Sequence, residues 1–114
     1  MPRGLNKVML IGRLEGAVEM RHTPGGRTVS SFTLAIPRNW LSAEGKQHEE
    51  TDWFNVVAWN NLAELCYQLQ TQCLLYVEGR LQTRSWEDEN GKKNFRTEVV
   101  AHDVIPLSNE ATLP

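Results

Sequence analysis

Two segments of the chain carry tryptophan and polar side chains at alternate positions. In the first segment, one parity holds the compact apolar residues Phe54, Val56 and Ala58. The other parity holds Trp53, Asn55, Val57 and Trp59. The second segment places cations beside an indole, in the order Arg80, Gln82, Arg84 and Trp86. Because alternate residues of a strand lie on one face, each segment predicts a strand face that presents indoles to solvent.

Exposed indoles beside guanidinium groups can bind a single strand of nucleic acid. An unpaired base has a free π face, and an aromatic platform contributes about 1–3 kcal/mol per base without reading its identity. Phosphates need cations, and the release of their counterions makes such binding weaken with salt. Arginine suits both tasks because it is planar and permanently charged. A second interpretation stays open, in which the tryptophans lie in the core or at subunit contacts.

Further residues extend the predicted surface towards the N-terminus and the middle of the chain. Lys7 and Arg13 share one parity of the first predicted strand, and Arg3 lies just upstream. We expect these cations to follow the phosphates. Trp40 comes after Pro37-Arg38-Asn39 and opens a polar stretch. We expect it to add a contact to the bases from a loop.

The overall charge gives no support to a nucleic-acid ligand. The 114 residues include 12 Lys and Arg against 14 Asp and Glu, a formal net charge of −2. A nucleic-acid-binding domain is usually basic, so the electrostatic argument must be local. Two cysteines, Cys66 and Cys73, lie seven residues apart without a histidine nearby, which predicts two small buried groups rather than a metal site.

The sequence contains no pattern typical of an enzyme. The three histidines are scattered, and Gly-rich phosphate loops, nucleophile elbows and metal-ligand spacings are absent from the sequence. We therefore expect a non-catalytic protein without a cofactor or metal ion. The sequence also has no apolar run of the roughly 20 residues that a membrane span needs, and no signal-peptide pattern, so we expect a cytoplasmic protein.

The secondary-structure signals are those of an all-β protein. Alternation predicts strands at 7–14, 19–22, 28–36, 52–59, 74–86 and 95–105, with Pro106 ending the last one. Apolar residues at helical spacing after Asn60 and Asn61, which offer an N-cap, predict one helix. Gly79 predicts a bulge or a bend, Asn90-Gly91 a type I′ hairpin turn, and 41–50 a long loop. We expect one domain at 1–106 and a short tail at 107–114.

About five strands, with one helix between the third and fourth, are the element order of a five-stranded OB-fold Greek-key barrel. A barrel of the SH3 type or a small sandwich has similar content, so the pattern alone leaves these alternatives open.

Several long segments resemble the bacterial single-stranded DNA-binding proteins, in the family's order and over nearly the whole chain. They are GLNKVMLIGRL at 4–14, EMRHTPGG at 19–26, TDWFNVVAW at 51–59, LAE at 62–64, YVEGRLQTRSW at 76–86 and TEVVA at 97–101. The resemblance implies an OB fold assembled as a homotetramer. It also implies wrapping of single-stranded DNA during replication, recombination and repair, with a location at the nucleoid.

The resemblance also implies which residues touch DNA. Its base-stacking aromatics match Trp40, Trp53, Trp59 and Trp86. Its basic contacts match Arg3, Lys7, Arg13, Arg21 and Arg84, to which strand parity adds Arg80. Two rival functions stay open at this point: a primosomal-type assembly module that binds protein more than DNA, and an RNA-binding OB protein.

One feature of the sequence departs from the family pattern. Members that act as replication hubs continue into a linker rich in Gly, Pro and Gln and end in a short acidic tip. This sequence reads Ser108-Asn109-Glu110-Ala111-Thr112-Leu113-Pro114 at its end. Two explanations stay open: a short paralogue that does not recruit the usual replication and repair enzymes, or a piece of a longer protein.

Overall fold

A computed structural model describes residues 3–108. The elements, in chain order, are β1 (Val8–His22), β2 (Thr28–Leu41), β3 (Gln47–Trp59), α1 (Asn61–Tyr67), β4 (Leu74–Glu87) and β5 (Lys93–Ser108). The strands form a closed barrel in the order β1-β2-β3-β5-β4, in which β3 and β5 pair in parallel and the other neighbours are antiparallel. The predicted all-β barrel with one helix between the third and fourth strands is confirmed.

The core is filled mainly by one parity of β1 to β4, whereas the irregular strand β5 contributes Val99, Ala101 and Val104. Val56 and Ala58 of β3 are fully buried, as their alternation with the indoles predicted. They pack in one cluster with fully buried residues of the other strands, among them Leu14, Leu34, Leu75, Val77 and Val99. Each core position requires the residue on either side of it to point outward. The alternation that builds the core therefore also builds the outer surface.

The two cysteines belong to this core. Cys66 on α1 and Cys73 just before β4 are free thiols and both are fully buried, which confirms their interpretation as small apolar groups. Burial raises the pKa of the Cys66 thiol to about 11, although the neighbouring Ser30 hydroxyl acts in the opposite direction. Cys66 therefore stays protonated at neutral pH, where a thiol is a poor nucleophile.

The helix α1 is short and lies against the barrel. It buries Ala63 and Cys66. Asn60 occupies the N-cap position with a left-handed φ of 60°, which asparagine tolerates better than most residues. The predicted N-cap position is therefore confirmed at Asn60, although its side chain makes no capping hydrogen bond. None of the helices within residues 3–108 is long and apolar enough to cross a membrane.

Three predicted element boundaries are wrong. Residues 41–50 were expected to form a loop, but β2 and β3 continue through this region as a hairpin, which we call the arm, and turn only at 42–46. All side chains of 37–41 and 47–51 are exposed, so the arm lacks the apolar alternation by which a half-buried strand is recognised. The segments 7–14 and 19–22 belong to one strand, β1, with a register shift between Glu15 and Glu19.

The third wrong boundary lies at the end of β5. This strand passes through Pro106 and reaches Ser108, with an irregular register against β4 at this point. A proline is tolerated where a strand loses regular pairing, because its missing N–H is then not needed. The start of the predicted tail, Leu107 and Ser108, thus belongs to β5, and the rest of it lies outside the described residues.

Closure of the barrel depends on glycine at two positions where strands approach closely. A Cβ on Gly12 would lie 2.6 Å from the carbonyl oxygen of Ala35. A Cβ on Gly79 would overlap the backbone carbonyl of Val100 and lie 3.0 Å from the Cα of Ala101. Gly79 also marks the shift in the register of β4 against β5, which confirms the predicted bulge.

We predict that Gly79→Ala lowers the free energy of unfolding by about 3 kcal/mol, at the upper end of the usual cost of overpacking. Backbone atoms cannot move aside as a side-chain tip can, so the strands must separate. Gly4→Ala is the matched control, because nothing lies within 4 Å of its Cβ position. Urea denaturation followed by circular dichroism gives both values, and equal stability of the two variants would contradict this account of barrel closure.

Candidate nucleic-acid interface

A long groove crosses the outer surface of the barrel. It has a volume of about 1020 Å³. It is lined by residues of all five strands and by Tyr67 of α1. Outward residues of β2 and β3 contribute Ser31, Thr33, Asn55, Val57 and Trp59. This groove is a broad concave surface that joins all five strands, which is a natural place for an extended ligand.

The two tryptophans of β3 lie on the outer face, as the alternation predicted. The Trp53 side chain is 60% exposed. Trp59 lines the groove and is partly buried. Asn55 and Val57 lie between them on the same face, so the strand offers an indole at each end with small polar and apolar groups between.

Arg27 covers one of these indoles. Its guanidinium carbon lies 4.3 Å from the centroid of the Trp59 ring. The backbone of Arg27 is fixed by the preceding turn, because its amide donates to Thr23 Oγ1 at 3.1 Å and its carbonyl accepts the Thr23 amide at 2.8 Å. A stacked guanidinium and indole attract each other and form a layered cation–π pair.

Arg27 was not among the residues predicted from the sequence to touch DNA. Val29 lies opposite Trp59 in the register of β2 against β3. Residue 27 has the parity of Val29, which places it diagonally across from the indole and within reach of a long side chain. That deduction needs the register, which the sequence pattern does not supply.

A second aromatic and cationic site lies on the β4–β5 hairpin. The guanidinium of Arg84 lies 6.0 Å from the Trp86 ring centroid, and its Nε lies 3.7 Å from Oε1 of Glu98. Glu98 is only 6% exposed. A cavity of about 290 Å³ is lined by Arg84, Ser85, Trp86 and Arg96. Glu98 and Arg96 were not among the predicted site residues, because only the pairing of β4 with β5 brings them to Arg84.

The tip of this hairpin is held by an aspartate. Asp88 Oδ1 accepts the amides of Asn90 and Lys92, both at 2.9 Å, and Oδ2 accepts the Asn94 side-chain amide at 3.2 Å. These bonds lower the pKa of the Asp88 carboxyl below its usual range, since they stabilise the charged form. Gly91 has a φ of +77° and Asn90 is not in the left-handed region, so the predicted type I′ turn is wrong.

Trp40 lies on the arm and not in a loop. Its ring stacks on His48 with centroids 5.3 Å apart, and Arg38 lies 5.1 Å from the ring. Arg38 in turn binds Glu50 at 3.1 Å and Asp52 at 2.8 Å. On β2, Trp40 lies an even number of residues from the core residue Leu34, so both belong to the same face. Trp53 of β3 lies opposite Ala35, which belongs to the other face of β2. The two indoles therefore point to opposite faces of the β2–β3 ribbon.

The predicted phosphate contacts are only partly brought together. Arg21 and Arg84 line the groove. Lys7 instead forms an ion pair with Glu78 at 3.5 Å, and Arg13 donates to the backbone carbonyl of Gln72 at 3.3 Å. Arg80 is exposed and lies an even number of residues from Arg84 on β4. Arg3 is exposed and precedes β1. Neither residue lines the groove.

The charges of the groove are balanced in number but separated in space. Its lining includes the cations Arg21, Arg84 and Arg96 and the anions Glu15, Glu19 and Glu98. The β4–β5 side holds Arg84, Arg96 and Glu98, whereas the β1 side holds Arg21, Glu15 and Glu19. The β4–β5 side thus has a net charge of +1 although the whole lining is neutral. Within residues 3–108, no group of three His, Cys, Asp or Glu is arranged to hold a metal ion.

Comparison with known proteins gives consistent results. Residues 5–107 match the model of the single-strand binding protein family. The chain is 47% identical over 109 residues to single-stranded DNA-binding protein 1 of Chlorobaculum tepidum, covering 94% of this chain and 67% of that protein. It is 46% identical over 101 residues to the single-stranded DNA-binding protein of Caldanaerobacter subterraneus subsp. tengcongensis, covering 88% and 66%. The chain thus spans about two thirds of the length of these relatives.

Solved structures show the same barrel. The Plasmodium falciparum SSB in complex with ssDNA superposes with a TM-score of 0.86 at 29% identity, covering 95% of this chain and 99% of that one. A deletion mutant of the single-stranded DNA binding protein from Thermus aquaticus superposes with a TM-score of 0.82 at 36% identity, covering 95% and 53%. The OB fold expected from the sequence is confirmed.

Proposed function

This chain belongs to the single-strand binding protein family, and from that premise we propose that it holds DNA by stacking bases on exposed indoles and neutralising phosphates with nearby arginines. Binding of single-stranded DNA without catalysis is what the sequence led us to expect, and it is the activity of this family. The residue-level mechanism is our proposal.

One observation carries the proposed mechanism: all four tryptophans reach the surface, and three of them have a guanidinium beside the ring. The pairs are Arg38 with Trp40, Arg27 with Trp59 and Arg84 with Trp86. Trp53, the fourth, is 60% exposed. A base can stack on an exposed indole, and the guanidinium groups of Arg27 and Arg84 can meet the adjoining phosphate. Arg38 is already paired with Glu50 and Asp52.

The exposed indoles also favour DNA binding over the assembly-module alternative. A module that bound protein through this face would not need a cation beside three of its four indoles. The proposed path runs along the groove past Trp53 and Trp59 and continues to Trp86 on the β4–β5 hairpin. Trp40, on the other side of the arm, would meet a strand that passes around the protein's edge.

We further propose that the protein assembles into a homotetramer that protects single-stranded DNA in replication, recombination and repair at the nucleoid. Support comes from an apolar patch on the outer face of β1, β4 and β5, away from the groove. Ile11 of β1 lies opposite Tyr76 of β4, which lies opposite Ile105 of β5. Ile11 is 54% exposed and Met9 is 63% exposed. Contiguous exposed apolar residues of this kind mark an interface.

The ion pair of Lys7 with Glu78 makes a role for Lys7 beside the apolar patch a better interpretation than a contact with phosphate. Glu78 accepts a hydrogen bond from the Tyr76 hydroxyl at 2.7 Å and forms an ion pair with Lys7 at 3.5 Å. The hydrogen bond raises the pKa of Tyr76 and, together with the ion pair, lowers the pKa of Glu78. These groups lie beside the apolar patch and would be covered in an oligomer. Of the predicted cations, Arg21 and Arg84 therefore have the stronger case as phosphate ligands.

We predict that sedimentation equilibrium at micromolar concentration gives four times the 13.0 kDa chain mass. Ile11→Asp should lower this mass while the circular dichroism spectrum is retained, because it places charge in the apolar patch. Leu41→Asp, on the exposed arm, is the control and should leave the mass unchanged. A monomer mass for the unmodified protein would contradict the proposed assembly.

We predict that Trp53→Ala weakens binding of oligo-dT by about 5- to 150-fold, which corresponds to the loss of about 1–3 kcal/mol of stacking on one base. Trp53→Phe should retain most of the affinity, because it keeps an aromatic face. The free energy of unfolding should be nearly the same in both variants, since the side chain is largely exposed. If Trp53→Ala binds as tightly as the unmodified protein, the ring is not a stacking platform.

A further inference from the structure

Two arginines face each other across the β4–β5 hairpin. Arg84 of β4 and Arg96 of β5 are direct partners in the strand register. Directly opposed side chains of an antiparallel pair lie on the same face, about 5 Å apart at Cβ. Both residues also line the groove that contains Trp59 and the smaller cavity that contains Trp86. The pair therefore lies at the boundary between the two indole sites.

This arrangement is unfavourable in the unbound protein. Like charges directly opposite each other destabilise a sheet. Glu98 compensates only partly, because its single carboxylate lies 3.7 Å from Arg84. No carboxylate within residues 3–108 forms an ion pair with Arg96. The three side chains together retain a charge of +1 at the boundary of the groove.

We propose that Arg84 and Arg96 together bind one backbone phosphate of single-stranded DNA, between a base at Trp59 and a base at Trp86. This inference rests on the proposed function, and it adds a ligand position and a residue, Arg96, that the sequence did not indicate. Two guanidinium groups can donate several hydrogen bonds to the oxygens of one phosphate. An anion between them also removes their repulsion, so an unfavourable contact of the free protein becomes a favourable one in the complex.

The order of the groups along the surface supports a phosphodiester as the ligand. In a nucleic acid strand the phosphate lies between successive sugars and bases. Here the arginine pair lines both the groove that holds Trp59 and the cavity that holds Trp86, with Arg84 6.0 Å from the Trp86 ring centroid. Glu98 has the role of a positioning residue, because from a nearly buried site it holds Arg84 on the side of the groove.

The test is Arg96→Gln, measured for stability without DNA and for binding of oligo-dT over a range of salt. Removing one of two opposed cations should raise the melting temperature by about 1–5 °C. Removing a phosphate ligand should weaken binding about tenfold at low salt and reduce the slope of log K against log salt by about 0.7. A stabler protein that binds more weakly is a combination that a purely structural role would not produce.

Two further variants make the result specific. Arg84→Gln should also weaken binding but lower the melting temperature, because it leaves the buried Glu98 without its cation. Lys93→Gln is the matched control, since it removes the same charge from β5 on the face where Lys93 lies 5.8 Å from Phe95, and it should leave affinity and salt slope almost unchanged.

The outcomes are distinguishable. If Arg96→Gln keeps the affinity and salt slope of the unmodified protein, or lowers its melting temperature, the two-arginine phosphate site is wrong while DNA binding stands. If the unmodified protein itself fails to bind oligo-dT, the proposed function is wrong, and the Arg96 result has no bearing on that failure.

Discussion

The close approach of strands in a small closed barrel is the constraint on which the rest of the structure depends. Strands meet so tightly at Gly12 and Gly79 that no side chain fits between them. A barrel closed in this way has room inside for only one parity of each strand. Along a regularly alternating strand, a buried valine therefore sends its neighbours outward. In β3 that geometry buries Val56 and Ala58 and presents Trp53 and Trp59, so the stability of the fold and the presence of aromatic platforms have the same origin.

A chain of net charge −2 can bind a polyanion because some of its cations lie beside the groove while other cations are paired with carboxylates elsewhere. Arg38 and Lys7 are paired with carboxylates away from the groove, and the acidic residue Asp88 is used to hold a hairpin tip. The cations that remain beside the aromatic rings or in the groove, such as Arg27 and Arg96, act at short range. At physiological salt the Debye length is about 8 Å, so local cations matter more to a bound phosphate than the charge of the whole molecule.

Much of the architecture could be predicted from the sequence, because half-buried strands alternate visibly. The outward position of Trp53, Trp59 and Trp86 came from parity alone. The arm was missed because both of its faces are exposed, which removes the alternation. Arg27, Arg96 and Glu98 were missed for a different reason: each joins the site through a cross-strand neighbour, and the register that makes them neighbours is not encoded in any one segment. Trp40 was expected to contact the bases from a loop, and its side of the ribbon could not be predicted while 41–50 was taken as a loop.

The most direct test of the central claim is a tryptophan-fluorescence titration with oligo-dT, at low and high salt, against a duplex of the same length. The account predicts strong quenching by the single strand, little by the duplex, and an affinity that falls steeply as salt rises, because bases must reach the indoles and phosphates must meet the arginines. Absence of quenching, or an equal response to duplex, would contradict it. In that case the exposed indoles would serve contacts between protein chains.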